Sequence, residues 1–147
     1  GVVYHTPMDD MYTVVRGEGA YRNGDSITVS SAKYDESLLV TGFTGESSDE
    51  DDFFGLLRRV VEETHGVRRF GSAAYDLVTV AEGSTDGFFE RHLNPWDIAA
   101  GVLILQEAGG KVTDFDGNEG WEKVREGNVM ATNGEAHQGL LDTYASL

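Results

Sequence analysis

The hydrophobic pattern of this chain changes character along its length. In the first thirty residues, short β-branched and aromatic runs separated by turn residues predict antiparallel strands at Val2 to Tyr4, Met11 to Arg16, Ala20 to Arg22 and Ile27 to Val29. The last two are joined at Asn23-Gly24, a strong short-range hairpin signal. The uninterrupted run "SLLVTGF" (37–43) predicts a buried strand. In the acidic stretch "GESSDEDD" that follows, Ser47 or Ser48 ahead of acids marks a helix entrance. "FFGLLRRVVEETHG" keeps apolar residues at helical spacing until Gly66 stops it. From Val67 strand and helix alternate: "VRRF" as a strand, "SAAYDLVTVAEG" as a helix, "DGFFE" as a strand, then a "RHLNP" turn. A helix from Trp96 to about Ala108 is closed by Gly109-Gly110, and "KVTDF", an Asp116-Gly117 turn, "NVMAT" and a last helix from about Gly134 to Ser146 complete the chain. This is the pattern of a layered α/β fold, with no repeat or linker, divided into antiparallel strands over 1–45 and an α/β part over 46–147.

Length and apolar content are adequate for one core: 147 residues, 39% of them apolar. Charge changes the picture more. Eleven basic against 26 acidic residues give a net charge of −15, spread along the chain, which makes nucleic acid and anionic membrane surfaces poor partners and cations good ones. Only Lys33, Lys111 and Lys123 are lysines, a balance that looks like the proteins of salt-loving organisms, where salt screens self-repulsion. The absence of cysteine excludes disulfides, zinc-thiolate sites and thiol nucleophiles. No apolar run approaches membrane length and no charged-then-apolar leader precedes the first strand, so the expected location is the cytoplasm. The chain enters a strand pattern at once, with no starting methionine, as a piece of something larger would.

Several motifs fail on inspection. "GEGAYRNG" (17–24) has glycines at the first and third positions of a phosphate loop but Arg22 at the sixth, and it lies between strands, so it reads as a hairpin loop. "DFDGNEGWEKVR" (114–125) starts like a calcium loop, yet Glu119 replaces the obligatory glycine and Arg125 the closing glutamate. His5, His65, His92 and His137 are scattered, and no Gly-x-Ser-x-Gly elbow exposes a serine.

"NPWDIAAG" (94–101) carries chemistry of a different kind. Asn94 can cap the helix, Pro95 suits its first position, and Asp97 favours its positive end. With the rest of the stretch from 68 to 110 it resembles the C-terminal signature of the inositol monophosphatase family of magnesium-dependent sugar phosphatases. The matches are Arg68, Gly71-Ser72-Ala73, Asp86, Glu90, Trp96-Asp97, Ala99-Ala100-Gly101 and Glu107-Ala108-Gly109-Gly110, in order and at matching spacing. The first segment is similar to the family text that follows its metal-binding strand, so the resemblance covers nearly the whole length.

The resemblance implies a layered α/β sandwich of the sugar phosphatase type, with residues 1–45 as antiparallel strands of its central sheet. It implies hydrolysis of a small sugar or polyol phosphate, inositol-1-phosphate or fructose-1,6-bisphosphate, by a metal-activated water with Mg2+ as cofactor, in a homodimer. Asp97 would be a metal ligand and the one catalytic carboxylate present; Glu90 and the backbone around Gly71, Ser72 and Ala73 would contact substrate hydroxyls, and Arg68 a second phosphate. Each has a plainer reading: Asp97 as a helix-start acid, Glu90 as an exposed strand-end acid, Gly71 as a tight turn, Arg68 as a surface cation, Glu107 and Gly109-Gly110 as a helix end. The family's glutamate pair and its Asp-Pro-x-Asp-Gly-Thr stretch are absent, so the 147-residue chain is expected to be a C-terminal half, inactive alone. The alternative is a non-catalytic acidic module of the same fold that binds a partner or loosely held cations.

Overall fold

A computed structural model describes residues 1–43 and 51–147. The helix entrance expected at Ser47 or Ser48 lies outside the described residues. Among the described residues, nine strands and five α-helices form two sheets and two helical layers. A four-stranded antiparallel sheet runs β1 (Val2–His5), β2 (Asp10–Val14), β3 (Ala20–Arg22) and β4 (Asp25–Ser26), turning at Asn23-Gly24 as the hairpin signal predicts. The strand expected at Ile27 to Val29 does not form. After Ile27, whose N–H still bonds to the Ala20 carbonyl (3.0 Å), the chain leaves the sheet, and the Val29 N–H bonds instead to the Ala108 carbonyl (3.1 Å).

The second sheet holds β5 (Leu38–Thr41), β6 (Gly66–Arg68), β7 (Gly87–Glu90), β8 (Lys111–Thr113) and β9 (Val129–Thr132) in the order β6-β5-β7-β9-β8. β5 is parallel to both β6 and β7, while β9 runs antiparallel to β7 and β8. The sheets therefore part between Ser26 and Leu38, and the run at 37–43 belongs with the second one.

α2 (Ala73–Ala81) and α3 (Pro95–Glu107) are sandwiched between the two sheets. Six consecutive residues of α2, Asp76 to Ala81, are buried, as a helix covered on all sides requires. α1 (Asp51–Glu63) and α5 (His137–Ala145) cover the other face of the second sheet. Among its described side chains α1 buries Phe53, Leu56 and Val60, one stripe at helical spacing, as an outer helix should. A single turn, α4 (Trp121–Val124), was not anticipated by the pattern. One apolar core fills each side of the second sheet: Leu77, Phe88, Ile98 and Ile104 are in the first, and Leu39, Phe53, Phe89 and Met130 in the second.

Polar ties hold the layers in register. Arg22 donates to Asp10 (2.6 Å) and to Glu82 just past α2 (2.9 Å), and Tyr12 also donates to Glu82. Glu107 does more than end α3. Its carboxylate accepts from the N–H groups of Gly17 (2.8 Å) and Gly19 (3.1 Å), so the loop that mimics a phosphate cradle is occupied by the protein's own anion, whose pKa those bonds lower. The calcium-like loop likewise folds on itself: Asp114 accepts from the backbone N–H groups of Asp116 and Asn118.

Candidate active site

α1 and α2 leave the second sheet on opposite faces, so a crevice opens at the carboxyl ends of β5 and β7, where such sheets bind ligands. A cleft of about 470 Å³ lies there, lined by Gly42, Phe43, Arg69, Gly71, Ser72, Ala73, Ala74, Glu90, Leu93, Trp96 and Asp97. Five of the six residues singled out by the sequence share this cleft. Arg68 does not: its exposed guanidinium donates to the Val67 carbonyl, and the cleft's cation is Arg69.

Each wall has a local cause. Glu90 is the last residue of β7 and only 9% exposed. Asp97 sits in the first turn of α3 and accepts from the backbone N–H of Asn94 (3.1 Å) and from its side-chain amide (3.3 Å), so the helix start fixes where the carboxylate lies. Gly71, at φ +87°, makes the turn that only glycine adopts freely, and Ser72 then precedes α2 without capping it through its side chain. The uncapped first-turn N–H groups of α2 are left for a ligand's oxygens. Arg69 stacks over the Phe43 ring (4.4 Å) and donates to the Phe43 carbonyl (3.1 Å). Trp96 stands 79% exposed at the rim.

The electrostatics are those of an acid-rich crevice. Burial, reinforced by Asp97, pushes the Glu90 carboxyl up to about 7 against the pull of Arg69. Behind it Asp76 in α2 is fully buried, neither carboxyl oxygen has a hydrogen-bond partner, and burial together with Glu90 raises it to about 7 as well. Glu90 can thus hold or release a proton near neutrality while accepting from a hydroxyl. For a metal, the donor type fits and the number does not. Asp97 and Glu90 offer the hard oxygens that Mg2+ prefers, but among the described residues no three acidic or histidine side chains are grouped to hold an ion.

Sequence reasoning missed Gly42, Arg69 and Asp76. Asp76 did carry a signal, since it is the lone acid in the otherwise apolar helix "SAAYDLVTVA".

Comparison with known proteins bears on this geometry. The sequence model of the inositol monophosphatase family matches residues 1–146. A putative Nus factor SuhB of Neisseria meningitidis serogroup B is 44% identical over 134 residues, covering 90% of this chain and 51% of that protein. An inositol-1-monophosphatase of Mesorhizobium japonicum is 42% identical over 143 residues, covering 96% and 53%. The solved inositol monophosphatase from Anabaena (Nostoc) sp. PCC 7120 superposes with a TM-score of 0.92 at 41% identity, covering 99% of this chain and 60% of that one. The chain spans about half the length of the curated relatives it matches.

Proposed function

The chain belongs to the inositol monophosphatase family and shares its layered α/β fold, and from that premise we propose that it forms the substrate-binding half of a cytoplasmic, homodimeric, magnesium-dependent phosphatase. The substrate is a small phosphorylated polyol or sugar, with inositol-1-phosphate and fructose-1,6-bisphosphate as the leading candidates. One observation carries the reading: Glu90, the open end of α2 and Asp97 converge on a single cleft at the carboxyl ends of β5 and β7. Glu90 accepts a hydrogen bond from a ring hydroxyl, the N–H groups that follow Ser72 donate to hydroxyl oxygens, and Asp97, held by Asn94, supplies one carboxylate toward the metal. When bound, the metal supplies an activated water and takes up charge on the leaving oxygen. Asp97 and Glu90 are too few to hold it among the described residues, and the family's glutamate pair and Asp-Pro-x-Asp-Gly-Thr stretch do not occur in the sequence, so no activity is expected of the 147-residue chain alone.

Phosphate release from both substrates in the presence of Mg2+ tests this. No turnover is expected from the isolated chain. Turnover that Asp97→Asn abolishes is expected from a chain extended upstream to its relatives' length. Turnover by the isolated chain overturns the half-site reading, and an inert extended chain overturns the phosphatase reading.

A second reading has its own support, because the 44% identical relative is named a Nus factor, not a phosphatase. In that reading the acidic fold is a binding module for a protein partner, and an inert extended chain would favour it.

A further inference from the structure

Gly42 has no conformational reason to be glycine. It is buried, it follows Thr41 at the end of β5, and it is not among the glycines with positive φ. What it lacks is space. Thr41 pairs with Phe89 in the parallel register, so the next residues, Gly42 and Glu90, emerge side by side. A Cβ built on Gly42 would collide with Cδ, Oε1 and Oε2 of Glu90. The whole carboxylate therefore lies against the Gly42 α-carbon. The backbone cannot step aside, because the Thr41 hydroxyl donates to the Phe89 carbonyl on one side and Arg69 holds the Phe43 carbonyl on the other. Any side chain at position 42 must displace the glutamate.

We infer that Gly42 is a positioning residue, whose missing side chain sets where the Glu90 carboxylate meets a substrate hydroxyl. The inference rests on the reading of Glu90 as the hydroxyl contact. It also accounts for a glycine between an apolar strand and an aromatic residue, where a β-branched residue would otherwise extend the strand. A carboxylate misplaced by about an ångström loses its hydrogen bond to a rigid polyol ring while the cleft otherwise stays intact.

The test is a double-substitution cycle on the 147-residue chain. Gly42→Ala alone should lower Tm by about 5 °C and shift the 13C resonance of the Glu90 carboxyl carbon. In a Glu90→Ala background the same substitution should leave Tm unchanged, because nothing remains to be displaced. Equal losses in both backgrounds would overturn the inference, as would an unmoved Glu90 resonance. A separate titration with myo-inositol reads the contact itself: Gly42→Ala should weaken binding about tenfold, and Gly42→Ala/Glu90→Asp, with its shorter side chain, should recover part of it. If the cycle couples but inositol never perturbs the Glu90 signal in the unsubstituted chain, the substrate reading of Glu90 falls and its placement by Gly42 stands.

Discussion

Asp86 and Glu90 bracket the same strand, are each 9% exposed, and belong to the same sequence motif, yet the fold treats them in opposite ways. At the amino end of β7, Asp86 is fully engaged: it accepts from the Ser30 hydroxyl and from the Leu38 N–H (2.7 Å), and its carbonyl takes the Asn133 N–H (2.9 Å). It ties the connection between the two sheets to the start of β5. At the carboxyl end, no described residue donates to Glu90, which lies over a glycine and faces a cleft with an unpartnered Asp76 behind it. Two carboxylates of equal burial thus separate into one whose hydrogen-bonding capacity the fold consumes and one whose capacity it leaves open. Burial does not distinguish a structural acid from a site acid here; the presence or absence of donors does.

The largest expected effect attacks that difference directly. Asp86→Ala leaves the Leu38 N–H and the Ser30 hydroxyl without their acceptor and should destabilise the chain by about 2–4 kcal/mol in urea denaturation. Glu90→Gln keeps the shape, removes a buried charge that no donor satisfies, and should change stability by less than about 1 kcal/mol, in the stabilising direction at pH 8. Equal losses at the two positions would erase the distinction.

A smaller effect reads the same contrast through pH. The unpartnered carboxyls have folded pKa values raised above their unfolded ones, so their contribution is complete below about pH 4 and is lost as pH rises through about 7. His137 works in the opposite sense. Buried between the hydroxyls of Thr113 and Thr132, it is depressed to about 4, so its contribution is complete above about pH 6.5 and is lost as pH falls through about 4. Asp76→Asn removes one of the two carboxyls on the first side and leaves Glu90. Relative to the unsubstituted chain, the variant should gain on the order of 2–4 kcal/mol between pH 4 and 8, and only Asp76→Asn/Glu90→Gln, which removes both carboxyls, should itself grow more stable with pH across the window that His137 controls. Denaturation curves at several pH values check both; a variant that runs parallel to the parent would show that Asp76 ionises in the folded protein as readily as in the unfolded chain.

The sequence made part of this site legible and hid the rest for identifiable reasons. The start of α3 could be read from Asn94, Pro95 and Asp97 because capping is local, and the cap that was read is the one that holds Asp97. The placement of Glu90 beside Gly42 could not, because it depends on β5 and β7 being parallel neighbours nearly fifty residues apart in sequence. The same distance effect hid the sheet to which β5 belongs. Ile27 to Val29 look like a strand by composition, but only the Ile27 N–H stays with β3, at Ala20, while Ala108, about eighty residues away, takes the Thr28 hydroxyl and the Val29 N–H. α4 is one turn long, too short for a helical period to show. Arg69 and Arg68 are adjacent identical residues, and only the end of β6 decides which of them enters the cleft.

The smallest effect separates these buried acids from the surface charge that dominates the composition. A net charge of −15 is mostly the repulsion of exposed carboxylates, which added salt screens over a Debye length of about 3 Å at 1 M. Melting temperature should therefore rise by a few degrees between 0.1 and 1 M KCl. The Asp86→Ala penalty should not change over that range, because what it removes is a set of short hydrogen bonds inside the fold. The Asp76→Asn gain should shrink little for the same reason, since the Asp76 oxygens are out of reach of ions. If salt instead diminished both effects in proportion to the rise in melting temperature, Asp86 at the amino end of β7 and Asp76 in α2 would both be sensing the surface field, and the contrast between a donor-rich and a donor-poor buried acid would be one of long-range electrostatics.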